Sequence, residues 1–211
     1  PLSLDRLRRV TFAYIDFDGK EHTDGEVIVM DVVASNVAKI FEELHQRLFP
    51  LKSAKRIEHY DGSDDASMEA NNTSAFNYRV ISGTKTISIH GYGLAIDVNP
   101  VQNPMVFRPT PHPEKDCMLI EVWPKGGEKF LSRACQLPGM VEPIVGIFAK
   151  YGFRDWGGLW QEMWDIHHFQ TPRWLAEMLA AETPDRAQKI FEYYVAHPEI
   201  RTKEELALEV L

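Results

Sequence analysis

Cysteine is scarce in this chain: Cys117 and Cys135 are the only two among 211 residues, and they form no CxxC pair. That leaves room for at most one disulfide and gives no support to a thiolate zinc site or a dithiol redox motif. Basic residues are outnumbered, 23 Lys and Arg against 31 Asp and Glu, for a formal net charge of −8. With no Lys/Arg cluster, the chain lacks the electrostatic footprint that binding to a phosphate backbone needs, and nucleic acid is not an expected partner. Long apolar runs are missing too. The stretch 27–34 is interrupted by Asp31, and nothing approaches the roughly 18 apolar residues of a membrane-spanning helix. The sequence opens at Pro1 without the basic, apolar and small-residue regions of a secretory signal, which leaves export undecided.

What is present is core material. Apolar residues make up 44% of the chain and aromatic residues 11%, enough for one folded domain, or one domain with an appendage. Residues 10–17 and 26–33 are β-branched and aromatic and flank Asp18-Gly19, which predicts an antiparallel start. Ser35 or Asn36 is placed to cap a helix in which Val37, Ile40, Phe41, Leu44 and Leu48 recur at helical spacing, with Pro50 as its stop. Residues 61–74 are small and polar and read as a surface loop. Strands are expected at 84–90, 94–99 and 117–123, a long loop over 100–113, and a helix over 139–151 closed by Gly152. Thr171-Pro172, Thr183-Pro184 and the capping box Thr202 to Glu205 mark three helix starts, so residues 171–211 read as a helical C-terminal appendage to a domain of residues 1–170.

Two segments concentrate groups able to carry chemistry. One is Ser88-Ile89-His90-Gly91-Tyr92-Gly93-Leu94-Ala95-Ile96-Asp97, the other Trp164-Asp165-Ile166-His167-His168-Phe169. In a straight strand, residues seven apart point to opposite faces and lie roughly 23 Å apart, so His90 and Asp97 can share a metal only if the chain bends. Gly91 and Gly93 supply the conformational freedom for that bend. His168 is the natural third ligand, because two imidazoles and a carboxylate with an open fourth position form the set of a catalytic zinc. Asp165 then falls where a carboxylate could take a proton from water acidified by the metal. Trp156, Trp160 and Trp164 recur every four residues, a spacing that fits a groove wall but more often marks core.

The pattern SxHxxGxAxD over Ser88 to Asp97, followed by DxxHF over Asp165 to Phe169, resembles the zinc D-alanyl-D-alanine carboxypeptidases and endolysin peptidases of the M15 family. Further stretches resemble its VanY-like branch: Ser67-Met68, Ser74 to Arg79, Asp97 to Pro100, Asn103-Pro104, Arg133, Pro138 to Met140, and Tyr151 to Phe153 with Trp156 to Trp160. The resemblance runs from about residue 55 to 170 and implies an α+β, hedgehog/DD-peptidase-type fold, a small and mostly antiparallel sheet with packed helices. It implies Zn²⁺ held by His90, Asp97 and His168, Asp165 as catalytic base, Arg79 near a substrate carbonyl or carboxylate, and Ser88 as a substrate contact or a turn hydrogen bond. His167 stands where relatives carry a non-ligand residue, yet the doublet leaves the choice between His167 and His168 open. Peptidoglycan stem peptides are the implied substrate, and the periplasm or cell envelope the implied workplace. A D-Ala-D-Ala carboxypeptidase is the leading expectation and an L-Ala-D-Glu or cross-link endopeptidase the second. A zinc-stabilised binding module without catalysis is the rival from another class.

Overall fold

A computed structural model describes residues 2–210. The N-terminal hairpin pairs β1 (Leu7–Ile15) with β2 (Glu21–Met30) in antiparallel register, Leu7 opposite Met30 and Ile15 opposite Glu21. Helix α1 (Ala34–Gln46) lies on this hairpin through Val37, Ile40, Phe41 and Leu44, and Phe41 stacks on Phe12 with ring centroids 3.7 Å apart. The expected stripe is right except at its end. The helix stops at Gln46, and Leu48 takes a left-handed φ of 53° with its side chain exposed. Neither Ser35 nor Asn36 caps the helix; Asn36 instead donates to the Tyr151 carbonyl.

The middle of the chain is made of short pieces. β3 (Ser53–Ala54) pairs in parallel with β4 (Asn72–Thr73), with the short helix α2 (Asp64–Glu69) between them. The loop expected over 61–74 thus holds a helix, started by the Ser63 hydroxyl accepting the Ala66 N–H. β5 (Ala95–Asp97) follows, then β6 (Met105–Phe107), β7 (Thr110–Pro111), β8 (Met118–Leu119) and β9 (Val122–Trp123). The strand expected over 84–90 reduces to a single bridge, Val80 to Ile87, and a 3-10 turn at Ile89–Tyr92. That expected over 117–123 is split in two, and the loop over 100–113 holds β6 and β7. Cys117 and Cys135 are both exposed and unbridged.

After α3 (Val145–Lys150) come β10 (Asp155–Trp156), β11 (Met163–Asp165) and β12 (His168–Gln170). The chain closes with α4 (Arg173–Ala181), α5 (Pro184–Ala196) and α6 (Lys203–Val210). Two three-stranded antiparallel sheets frame the centre, in the orders β10-β12-β5 and β11-β6-β9. The architecture is α+β, with small and mostly antiparallel sheets and several helices. The capping box at Thr202 forms: Glu205 accepts the Thr202 N–H and the Thr202 hydroxyl accepts the Glu205 N–H.

The C-terminal helices share one apolar core with the rest. Leu175, Leu179, Ile190, Phe191 and Tyr194 are buried in the same cluster as Val29, Phe41, Ile96 and Phe148. Polar ties add direction. Arg6 is buried, forms a two-pronged ion pair with Asp31 and donates to the carbonyls of Leu179 and Glu182. Arg154 donates to the carbonyls of Tyr194, Val195 and His197 at the end of α5, where a cation meets the negative end of the helix.

Candidate metal and catalytic site

The site begins with a turn. The Ser88 hydroxyl accepts the His90 N–H at 3.3 Å and starts the 3-10 turn Ile89–Tyr92, which Gly93 ends at φ 67°. Glycine is required here for two reasons. Its φ is left-handed, and a Cβ would lie 2.6 Å from the Met30 nitrogen of β2. The Gly93 carbonyl accepts the Met30 N–H at 2.9 Å, so the turn is sewn directly to the hairpin. This bend returns Asp97 toward His90.

Sheet register brings the third group. β12 pairs with β5 so that His168 stands opposite Asp97. Strand alternation then sorts the side chains: His168 and Gln170 share one face, while Phe169 turns to the core and stacks on Phe148 at 4.0 Å. His90 Nε2 lies 3.1 Å from His168 Nδ1 and 3.1 Å from Asp97 Oδ2, and His168 Nδ1 lies 2.9 Å from Asp97 Oδ1. All three side chains are buried. Among the described residues, this is the one group of three or more His, Cys, Asp or Glu able to hold a metal ion.

The donor set fits a zinc-type ion. Zinc bonds of about 2.0 to 2.1 Å at tetrahedral angles put neighbouring ligand atoms roughly 3.3 Å apart, close to the spacing found. The outer contacts fit as well. His90 Nδ1 meets the Ala75 carbonyl at 2.5 Å, and a carbonyl only accepts, so Nδ1 carries the hydrogen and Nε2 presents its lone pair inward. His168 Nε2 meets Gln170 Oε1 at 2.8 Å, which leaves Nδ1 as its inward lone pair. Two imidazole lone pairs and a carboxylate therefore converge on one point.

Asp165 and His167 form the second half. Asp165 ends β11, paired with Met105 of β6, and its carboxylate is 2.9 Å from His167 Nε2. The ring N–H is not aimed along that line, so Asp165 Oδ1 is buried without a directed hydrogen-bond donor. His167 Nδ1 meets the Asn103 carbonyl at 2.8 Å, and Nε2 is 4.0 Å from Asp97. His168 thus joins His90 and Asp97, whereas His167 sides with Asp165. Burial pushes the Asp165 carboxyl up, but His167 and His168 outweigh it and hold it below the ordinary carboxylate value. Burial likewise disfavours the charged His167, yet Asp165 and Asp97 raise it to about 10. Asp97 is held well below its usual value against its own burial by His90, His167 and His168.

Arg79 comes from a neighbouring stretch whose carbonyl accepts the Ser88 N–H at 2.9 Å. Its Nη2 pairs with Asp64 at 2.8 Å, and its Nε is buried with no acceptor. The three tryptophans do not share a helix face. Trp156 stacks against Phe169, Trp160 lies against His168 with ring centroids 5.3 Å apart, and Trp164 is exposed. Gln170, beside His168, and Asp155 beyond it stand out in no sequence motif; Asn103, marked only as part of Asn103-Pro104, supplies the carbonyl that meets His167.

Residues 82–171 match the family of D-alanyl-D-alanine carboxypeptidases, and this stretch contains His90, Asp97, Asp165 and His168. The match supports placing the protein among the M15 peptidases; Arg79 and α4 to α6 lie outside the matched stretch. Neither the curated proteins nor the solved structures give a significant match. No helix among the described residues is long and apolar enough to cross a membrane.

Proposed function

We propose that the protein is a zinc-dependent peptidoglycan peptidase that removes the terminal D-alanine from a stem peptide, in a hedgehog/DD-peptidase-type fold working at the cell envelope. The observation that carries the reading is the convergence of His90, Asp97 and His168 beside a buried carboxylate, Asp165, whose Oδ1 has no directed donor. His90, Asp97 and His168 would hold Zn²⁺, which when bound supplies Lewis acidity to an amide carbonyl and acidifies water. Asp165 is kept ionised by His167 and His168 and so is ready to accept a proton. It takes that proton from the attacking water and returns it to the leaving amine. Arg79, half-buried and with Asp64 steadying Nη2, would turn its remaining guanidinium N–H groups to the substrate's terminal carboxylate. Ser88 already gives its oxygen to the His90 N–H, and its hydroxyl hydrogen remains for a substrate contact.

The test is mass spectrometry of defined muropeptides, pentapeptide and cross-linked, after incubation with zinc-loaded protein and with a chelated control. Loss of one terminal alanine, abolished by chelation, is the expected result. An internal cut would instead assign an endopeptidase. Folded, zinc-loaded protein that cleaves neither would point to a binding module.

A further inference from the structure

We propose that Gln170 and Asp155 are positioning residues that lock His168 into the tautomer able to bind metal. The inference rests on the metal reading of the site and extends it outward. Gln170 lies two residues after His168 on the same face of β12, and Asp155 of β10 is its cross-strand partner. The Gln170 amide nitrogen donates to Asp155 Oδ2 at 2.7 Å, and its oxygen faces His168 Nε2 at 2.8 Å. Asp155 Oδ1 accepts the Trp160 indole N–H at 2.7 Å.

The order of donors in this row follows from chemistry alone. An indole N–H only donates and a carboxylate only accepts, so Asp155 must receive from both sides. A side-chain amide has one donor end and one acceptor end. With its NH₂ committed to Asp155, Gln170 can show His168 only its oxygen. His168 must then carry its hydrogen on Nε2, and Nδ1, the atom 2.9 Å from Asp97 and 3.1 Å from His90 Nε2, is left bare. An isolated amide could turn over and offer NH₂ instead, which would place the imidazole hydrogen on the atom the metal needs. Asp155 prevents this, and Trp160 keeps Asp155 in place.

Zinc affinity, measured by competition with a chromophoric chelator, tests the row without relying on turnover. Gln170→Leu should bind zinc roughly 10- to 100-fold more weakly. Asp155→Asn should weaken it as well, because the indole N–H claims the asparagine oxygen, the asparagine NH₂ then faces Gln170, and the glutamine reverses. Adding Trp160→Phe to Asp155→Asn frees the asparagine to turn its oxygen back to Gln170, so the double variant should bind more tightly than Asp155→Asn alone. Residues that merely pack would show the opposite, a further loss. Zinc binding by Gln170→Leu equal to wild type, or a double variant no tighter than Asp155→Asn, overturns the inference. Far-ultraviolet circular dichroism of each chelated variant identifies any that fail to fold, and the recovery in the double variant cannot arise from misfolding. Wild-type protein that binds zinc no better than Asp97→Asn would overturn the metal reading itself, an outcome distinct from failure of the row alone.

Discussion

His90 and His168 each give one ring nitrogen to an uncharged acceptor, the Ala75 carbonyl and the Gln170 amide oxygen, and turn the other toward the carboxylate they share, Asp97. His167, next to His168 in the chain, lies between the Asn103 carbonyl and a carboxylate of its own, Asp165, with Asp97 farther off at 4.0 Å. The first pair converges with one carboxylate on a point that a metal ion could occupy; His167 instead pairs one to one with Asp165. Adjacent histidines thus part company: His168, the first residue of β12, faces Asp97 across the sheet, while His167, just before the strand, sides with Asp165.

The widest gap between the two halves should appear in kinetics. Asp165→Ala is expected to keep its zinc while turnover of pentapeptide falls by about 10²- to 10⁴-fold; full activity in that variant would remove Asp165 from the mechanism. The metal side is sharpened by a pair of variants. His168→Ala should lose stoichiometric zinc and His167→Ala should retain it, and a reversed result in elemental analysis would exchange their assignments. Behind the strand, Phe169→Ala should cost about 3–5 kcal/mol in denaturant unfolding, because the ring is fully buried against Phe148.

The base side also predicts a pH signature in chelated protein. His167 is raised from 6.5 to about 10 in the fold, so its pairing contributes stability fully present below pH 6.5 and lost as the pH rises through about 10. Thermal unfolding followed from pH 6 upward should show this alkaline decline, flattened in His167→Gln. Asp97 acts in the other direction: its lowered value stabilises above the ordinary carboxylate range and fails only in strong acid. The smallest effect belongs to the pair between exposed Lys150 and Glu43; Lys150→Ala should leave the unfolding midpoint nearly unchanged.

Much of this was legible beforehand, and the rest was hidden for identifiable reasons. The stripe Val37, Ile40, Phe41, Leu44 reads as a helix because burial repeats at the helical period. His90, Gly93 and Asp97 read as a bent ligand pair because a straight strand would separate them. Strands of two or three residues, such as β5 and β12, are too short to show a period of two. Gln170 and Asp155 escaped for a related reason, since only the register between β10 and β12 brings them together. The three tryptophans misled through their four-residue spacing, which β10, a 3-10 turn at Gly157–Leu159 and β11 convert into three separate environments.

The seam at Gly93 bears on how small the working unit can be. The backbone of β2 supports the ligand turn through the Met30 N–H on the Gly93 carbonyl and continues to Phe76, whose N–H meets the Ile28 carbonyl. Both partners on β2 precede residue 82, where the family match begins. A fragment cut at the matched boundaries would retain every proposed ligand yet lose the strand on which the turn is laid. The portable unit is therefore larger than its recognisable motif, and a transplant into another scaffold would have to bring the N-terminal hairpin with it.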